Sequence, residues 1–387
     1  MEVVQLYQFV NTATAEALGE SVVVSEDLGN LVDVGTAVFS NSAMDKYVKS
    51  LVNQIGKIIF VNRPYKGSVP SVMMDGWEFG SVLQKVQAEL PQATENESWE
   101  LEDGTSYDPN IFYKPTVSAK FFNKKITFEV PMSFTELQVK QSFQNVGQLN
   151  AFISMLYTAV ENAMTVRIDE LIKKTINNMT AETIYADYGS AQLSSKSGVK
   201  AVNLLYKYNH EVNNTGTDLT VDEARYNLEF IKYCAYQMKL YADRLGVMST
   251  LFNIGGKARF TPDDRLHFVL LSEFARSADI YLQSDTFHNE FVKLPNAERV
   301  TYWQGTGTDY DFDYTSKIDV VDSDGHTVQT SGILGVMFDT FALAVCNMDR
   351  RVTSNYNPKA EFYSNWYKYD AHYYNDLNEN FVVFFIA

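Results

Sequence analysis

Apolar residues recur at helical spacing over one long stretch in the middle of the chain. From Val146 onward they fall three or four residues apart, and no Gly or Pro interrupts the stretch between Gln148 and Thr180. The positions are Val146, Leu149, Ile153, Leu156, Val160, Met164, Ile168, Leu171, Thr175 and Met179. This periodicity predicts a helix of roughly thirty residues, about 50 Å long, lying across a sheet or along another chain; an ordinary core helix is the alternative. Ser133 and Glu136 match a capping box and are expected to open the element.

Weaker helical patterns lie on either side of this stretch. The segment 42–55 carries apolar residues three and four apart, and 11–18 predicts one short helix capped by Thr12 or Thr14. After a loose, polar segment at 189–218, a second helix is expected from 219 to about 245. Short helices are expected at 277–281 and 287–291.

Strand patterns occupy much of the remainder. Strands are predicted at 57–61, 267–272, 300–304 and 332–347, and at the apolar end of the chain, 381–386. Segment 111–130 alternates like a long hairpin arm with a kink at Lys124 and Lys125. The acidic segment 309–329 predicts a surface hairpin with Asp324-Gly325 at its tip. Because the last strand is wholly apolar, we expect it to be buried in a sheet.

Residues 61–134 alternate between short strands and turns and contain few positions for a core of their own. Turn signals punctuate them at Asp103-Gly104 and Asp108-Pro109. A projecting loop of this length is usually functional or covered by a partner. We therefore expect an extended β-loop that lies over another molecule, with Trp99, Phe112, Phe121 and Phe122 as aromatic anchors.

Composition narrows the function further. The net charge of −16 argues against a surface that grips nucleic acid, because phosphate contacts need clustered Lys and Arg. The aromatic share of 14% is high, which suits extensive contacts between subunits. No transmembrane helix or signal peptide is expected. Cys234 and Cys346 are expected to be buried, reduced thiols.

No residue set indicates catalysis, a cofactor or a metal. Gly255-Gly256-Lys257 lacks both the first Gly and the following Ser or Thr of a phosphate-binding loop, so a plain turn is predicted. The acidic turn is predicted to be solvated, and a weak divalent-cation site is the alternative. That site would use Asp311, Asp313, Asp322 and Asp324. His210, His267, His288, His326 and His372 are scattered and lack metal-helix spacing.

The order of parts resembles the major capsid proteins of tailed bacteriophages, which have the Hong Kong 97-type fold. The parts are an arm, a long β-loop, a very long helix, a mixed domain and returning aromatic strands. Segment 332–343, Gly-Ile-Leu-Gly-Val-Met-Phe-Asp-Thr-Phe-Ala-Leu, looks like the late segment of short-tailed phage capsid proteins. Segment 59–64, Ile-Phe-Val-Asn-Arg-Pro, is similar to their entry into the extended loop.

The resemblance implies an α+β fold with five parts. These are an N-terminal arm and first helix (1–60), an extended β-loop (61–134), a peripheral domain with the spine helix (135–189), an axial domain (190–335) and returning strands with the C-terminal segment (336–387). It also implies a structural, non-enzymatic subunit of an icosahedral head that assembles into hexamers and pentamers around double-stranded DNA. The DNA contact would be weak and non-specific. Portal and scaffolding proteins are the other implied partners, and the protein would be assembled in the host cytoplasm and reside in the virion.

Other classes stay open from sequence alone. An encapsulin-type compartment shell enclosing a protein cargo shares the implied fold. An adhesive or baseplate protein would not need so long a helix, and a hydrolase would need a convergent acid, base or nucleophile set. The Arg350-Arg351 pair is predicted to be solvated after a strand, with a salt bridge to a neighbouring subunit as the alternative.

Overall fold

A computed structural model of the chain describes residues 11–15, 46–47, 50, 72–74, 83–91, 93–135, 146–213, 216–284, 297–305 and 309–387, without the side chains of 97, 146–157, 281–284 and 347–348. The strands are β1 Met73–Met74, β2 Leu83–Ala88, β3 Val117–Phe122, β4 Lys125–Thr135, β5 Ala201–Asn203, β6 Leu266–Leu271, β7 Glu298–Val300, β8 Ile318–Val321, β9 Thr327–Thr330, β10 Ile333–Asp339, β11 Leu343–Asn357, β12 Phe362–Asn375 and β13 Phe381–Phe385. The helices are α1 Val146–Tyr188, α2 Leu204–Glu211, α3 Val221–Ala224, α4 Leu228–Leu245, α5 Ser272–Ser284 and α6 Phe312–Thr315.

The chain divides into two compact units. The first combines Met1–Glu78, Lys125–Lys174 and Val345–His372, and the second combines Phe79–Lys124, Thr175–Ala344 and Tyr373–Ala387. Each unit is built from segments distant in sequence. Within the described residues, no helix has the length and apolar character that a membrane crossing requires.

Helix α1 confirms the long apolar periodicity and exceeds the predicted length. It has 43 residues, or about 65 Å at 1.5 Å per residue. The extension follows from Ala181, Ile184 and Tyr188, which continue the buried face past Thr180. The helix ends before Gly189, whose φ of 58° suits a glycine and whose amide donates to Tyr185 O at 2.8 Å.

The capping box predicted at Ser133 is wrong. Ser133 lies in β4, opposite Ser364 of β12, and the two Oγ atoms are 3.3 Å apart. Residues of β4 alternate between exposed and less exposed positions along the strand. That alternation places one side of β4 on a core, and it outweighs a local match between two side chains.

The first unit contains a four-stranded sheet in the order β1-β11-β12-β4. Strands β12 and β4 pair antiparallel from Phe362 with Thr135 to His372 with Lys125. The buried face of β12 carries three tyrosines and two smaller residues: Tyr363, Asn365, Tyr367, Tyr369 and Ala371. The aromatic run near the end of the chain therefore supplies a sheet core.

Segment 332–347, predicted as one strand, is two strands. A turn at 340–342 separates β10 from β11, so Arg350 and Arg351 lie within β11 rather than after a strand. Arg350 reaches Glu161 at 3.7 Å, and Arg351 binds Asp370 at 2.7 Å. The solvated interpretation is therefore wrong for Arg350, whose side chain is largely buried, whereas Arg351 is partly exposed and also pairs with a carboxylate of its own chain.

The second unit contains a five-stranded sheet in the order β5-β13-β10-β6-β7. As predicted, the last strand is buried: β13 lies between β5 and β10, and all five of its residues are inaccessible. Trp303 adds a core anchor, fully buried, with Nε1 donating to Ile333 O at 2.9 Å. The predicted strand at 267–272 is confirmed as β6.

Several local predictions for this unit need correction. The segment 189–218 is not wholly loose, because it contains β5 and α2, whose Asn203 cap accepts from Tyr206 N. The second predicted helix is broken into α3 and α4, since Thr220 and Asn227 each cap a separate start. The strand expected at 300–304 is β7, which ends at Val300. Segment 277–281 belongs to the longer helix α5.

The predicted acidic hairpin is confirmed over β8 and β9, with Gly325 at the tip in the left-handed region (φ 91°). Residues 11–15 are helical, and so are 46, 47 and 50 of the predicted helix 42–55. The predicted elements at 57–61 and 287–291 lie outside the described residues, as do the remaining positions of 11–18 and 42–55.

Candidate functional site

Strands β2 and β3 form a two-stranded ribbon whose two faces are opposite in character to those of an ordinary surface ribbon. Leu83 pairs with Phe122, Lys85 with Lys120 and Gln87 with Ser118 on the less exposed face. The intervening positions form the exposed face: Gln84, Val86, Ala88, Val117, Ala119 and Phe121. A ribbon normally packs its apolar face on the core and exposes its polar face. Here the mostly apolar face is in solvent.

The less exposed face meets a pair of carboxylates in the second unit. Lys85 Nζ lies 2.7 Å from Asp376 Oδ2 and 2.7 Å from Glu379 Oε1, and Lys120 Nζ lies 2.8 Å from Asp376 Oδ1. Asp376 is fully buried. Burial opposes its ionisation, but hydrogen bonds from Lys120 and Lys85 outweigh burial and lower the pKa of Asp376.

The ribbon strands are joined by a long loop, residues 89–116. Among its described residues, the only regular element is one 3-10 turn at Glu97–Trp99. The loop holds seven acidic residues and one basic residue, Lys114. It also exposes seven large apolar side chains: Leu90, Trp99, Leu101, Tyr107, Ile111, Phe112 and Tyr113. Large exposed apolar patches are typical of interaction surfaces, so the loop is a candidate for contact with another molecule.

Three of the four predicted aromatic anchors lie on accessible surface. Trp99 is 94% exposed, Phe112 84% and Phe121 65%. Phe122 differs, because it is on the other face of β3 and stacks on Tyr374 with ring centroids 4.7 Å apart. Adjacent residues of a strand point to opposite faces, so Phe121 and Phe122 cannot serve the same contact.

Sequence reasoning did not identify Asp376 and Glu379. Both lie in the short turn between β12 and β13, and their partner Lys85 is 291 and 294 residues away. Their one local signal is a cluster of Asn and Asp before an apolar strand, which is typical of many turns.

The candidate cation site does not form. Asp322 accepts hydrogen bonds from the backbone of Asp324 and His326 and from the His326 ring, which occupies its oxygens. No three His, Cys, Asp or Glu side chains within the described ranges are arranged to hold a metal ion.

The other candidate residues have structural surroundings. Gly256 is in the left-handed region (φ 61°), as expected of a glycine in a turn. Lys257 forms an ion pair with Glu89, with Nζ 2.5 Å from Oε1. Cys234 and Cys346 are buried, free thiols as predicted, and burial raises the pKa of Cys346 to about 11.

The predicted histidines remain apart from one another. His210 stacks on Tyr206, His326 stacks on Tyr185, and His267 stacks on Phe338. His372 is buried in β12, where burial lowers its pKa. His288 lies outside the described residues.

Comparison with a family model gives a match over nearly the whole chain. The model of the family described as "Phi29-like phage major capsid protein" matches residues 10–385. A search of curated proteins gave no match.

One solved structure agrees with this match at the level of fold, and two more are similar at lower TM-scores. A chain in the capsid structure of Staphylococcus phage Andhra has a TM-score of 0.51 at 11% identity, covering 84% of this chain and 86% of that one. A chain in the asymmetric unit of the bacteriophage PhiM1 mature capsid has a TM-score of 0.41 at 9% identity, covering 84% and 87%. One in the capsid structure of cyanophage P-SCSP1u has a TM-score of 0.43 at 9% identity, covering 85% and 94%.

The family match spans nearly the whole chain, and it does not favour the alternative of a compartment shell for protein cargo. The chain belongs to the Phi29-like phage major capsid protein family and is a structural subunit of an icosahedral bacteriophage head.

Proposed function

We propose that the β2–β3 ribbon and its 89–116 loop are the part of the subunit that lies on a neighbouring copy in the shell. The observation that carries this proposal is the apolar face turned to solvent. Val86, Val117 and Phe121 are more than half exposed, while the charged face of the same ribbon is turned inward. Covering such a face contributes about 25 cal/mol per Å² of apolar surface.

A second copy of the chain is the occupant that fits best. Capsid proteins assemble with themselves, so a complementary surface is present at the same concentration as the ribbon. The loop's acidic and aromatic character suits a contact in which aromatic side chains are buried and charges stay at the rim.

The finer architecture belongs to the same proposal. The fold would be of the Hong Kong 97 type, with arm 1–60, extended loop 61–134, peripheral domain 135–189, axial domain 190–335 and returning strands 336–387. Subunits would form hexamers and pentamers around double-stranded DNA. The net charge of −16 would keep the packaged DNA from binding the wall tightly, since no counterions are released.

The role would be purely structural, and three further features follow from the family resemblance. The protein would use portal and scaffolding proteins as partners, and it would assemble in the host bacterial cytoplasm. No catalytic step is required, because closure of the shell depends on surface complementarity alone.

The test is a pair of matched variants on one face of the ribbon. Val86→Ser combined with Phe121→Ser makes the outer face polar, while Gln84→Thr changes the same face and keeps its polarity. We expect the double variant to remain soluble and folded, by circular dichroism and sedimentation, and to form no closed shells in electron micrographs. Gln84→Thr should assemble normally. Closed shells at normal yield from the double variant would refute the proposal.

A further inference from the structure

The ribbon's inner face places two like charges directly opposite each other. Lys85 and Lys120 are cross-strand partners, and both ammonium groups point at the Asp376 carboxylate. Like charges opposite one another destabilise an isolated pair of strands. The pair is tolerated because the turn between β12 and β13, in the body of the same unit, supplies the compensating anions, so the charges of the ribbon are compensated only while it is seated.

The turn that carries the anions is held by backbone hydrogen bonds within the body, and the ribbon takes no part in them. Asp376 N donates to Ala342 O at 2.7 Å, and Gly255 N donates to Leu377 O at 2.8 Å. The following strand is tied down by Phe381 N, which donates to Phe252 O at 2.9 Å. The acceptor side of the cluster is therefore a rigid turn of the body.

The contact changes in character along the ribbon. At the root, Phe122 stacks on Tyr374, and Tyr373 N donates to Lys124 O at 3.3 Å. Farther out the contacts are ionic or polar: the lysine cluster first, then Arg259 Nη2, which donates to Gln87 Oε1 at 2.6 Å. The last is the pair of Lys257 with Glu89 at 2.5 Å.

An apolar seat would hold the ribbon at every position, since leaving it exposes surface to water. Charged groups regain hydration when they separate, which offsets much of the attraction they lose. Lys120 is already 37% exposed in the seated state. The root is therefore built as a hinge, and the outer contacts are built to separate.

We propose that Lys85, Lys120, Asp376 and Glu379 form a latch. It holds the ribbon on the body of the free subunit in one orientation, and it opens, about the Phe122–Tyr374 root, when the ribbon is taken up by a neighbouring copy. The first part of this proposal, that the latch holds the ribbon on the body, concerns the free subunit alone. The second part, that the latch opens in the shell, rests on the proposed function.

Seating is tested with a zero-length carbodiimide, which joins a lysine amine to a contacting carboxylate as an amide. Mass spectrometry of the soluble full-length subunit should find Lys85 joined to Glu379. In Asp376→Asn we expect the yield of this crosslink to fall at least fivefold. Lys120→Met, which keeps both carboxylates, should lower it less and guards against misfolding of the first variant. An unchanged yield in folded Asp376→Asn would overturn the latch.

Opening is tested by locking the ribbon at its outermost contact, which involves no latch residue. Glu89→Cys with Lys257→Cys, joined by a cleavable bis-maleimide, should produce subunits that form no shells until the linker is reduced. Cys234 and Cys346 are buried and should not react. Single-cysteine variants given the same reagent are the controls. Normal shells from locked subunits would show that opening is not needed.

The two proposals fail separately. If the outer-face variant Val86→Ser with Phe121→Ser still forms shells while the Lys85–Glu379 crosslink behaves as expected, the latch stands and the assembly role of the ribbon falls. If that variant blocks assembly and Asp376→Asn leaves the yield of the crosslink unchanged, the assembly role of the ribbon stands and the latch falls.

Discussion

Two buried carboxylates, Asp370 and Asp376, are bound by similar partners yet do different work. Asp370 accepts from Thr127 Oγ1 at 2.7 Å and Arg351 Nη1 at 2.7 Å, with Lys125 Nζ at 2.9 Å. All of these partners lie on β4 and β11, which pair with β12 through backbone hydrogen bonds. The strands around Asp370 would be held together without any ion pair.

Asp376 binds its lysines without such support. Among the described residues, the ribbon meets the body through side chains, apart from the backbone hydrogen bond at Lys124 O. An ion pair inside a sheet adjusts the stability of a structure that the backbone has already fixed. An ion pair between a ribbon and its seat determines whether the ribbon is seated. Removing an ion pair of this second kind should therefore have the larger effect.

The largest effect is expected from Asp376→Asn. The substitution leaves Lys85 and Lys120 opposed with a single carboxylate nearby, and breaking a buried pair from one side is strongly destabilising. We expect the free energy of unfolding to fall by about 3 kcal/mol in urea titrations. A loss no greater than that of Asp370→Asn would contradict the comparison.

Asp370→Asn should cost less, about 1.5 kcal/mol by the same measurement. The amide oxygen still accepts from Thr127, and Lys125 and Arg351 are partly exposed and can be hydrated. Asn has nearly the shape of Asp, so the sheet register should be unchanged. Loss of the β4–β12 pairing, seen as rapid amide exchange in β4, would show that the ion pairs hold the sheet after all.

Phe121 and Phe122 show most clearly how much of the ribbon can be predicted from the sequence. Alternation in 111–130 predicted strands on either side of Lys124 and Lys125, and three of the four aromatic anchors lie within the segment. The single hairpin arm is wrong, because β3 pairs with β2 and β4 pairs with β12 in another sheet. Alternation does not say which face meets the subunit's own body, because both faces of β3 contain a Phe. The inverted polarity of the ribbon emerges only when Lys85 and Lys120 are seen opposite Asp376.

Local patterns failed where pairing over long distances decides the outcome. Ser133 and Glu136 match a capping box. However, β4 pairs with β12 over eleven residues, and this pairing places Ser133 in a strand. The helix α2 was missed because its Tyr, Lys, Asn and His residues give little apolar periodicity. The long helix α1 was found because its apolar pattern is continuous from Val146 to Met179, about nine turns.

Acid should weaken both clusters in the same direction. Burial raises the pKa of each carboxyl, but the hydrogen bonds from their cationic partners outweigh it, so the pKa of Asp370 and of Asp376 is lowered in the folded chain. Each group then binds fewer protons folded than unfolded. The stability it adds is present above the unfolded pKa of about 3.9 and is lost as pH falls through the folded value.

Unfolding free energies measured from pH 5 to pH 2 should therefore decline, each carboxyl contributing up to about 1.4 kcal/mol per pH unit. Asp370→Asn and Asp376→Asn should each flatten the decline, and together they should flatten it further. If neither variant changes the slope, the acid sensitivity lies elsewhere in the chain.

The smallest effect is expected at a third ion pair, which lies two residues from Asp370 along β12, on the same face of the sheet, and is more exposed. Lys368 faces Glu129 across β12 and β4, with Nζ 3.4 Å from Oε2, and both side chains are partly exposed. A cross-strand pair in this setting contributes about 0.5 kcal/mol. A double-mutant cycle with Lys368→Met and Glu129→Gln measures it, since Met keeps the packing of the lysine stem.

Salt separates the three pairs most sharply. The Lys368–Glu129 coupling should vanish in 1 M NaCl, where charges are screened beyond about 3 Å. The cost of Asp376→Asn should persist there, because its carboxylate is buried and screened far less. The Lys368–Glu129 coupling could instead prove as large and as salt-resistant as that of Asp376. Burial would then not distinguish these ion pairs, whereas the distinction based on backbone pairing would be untouched.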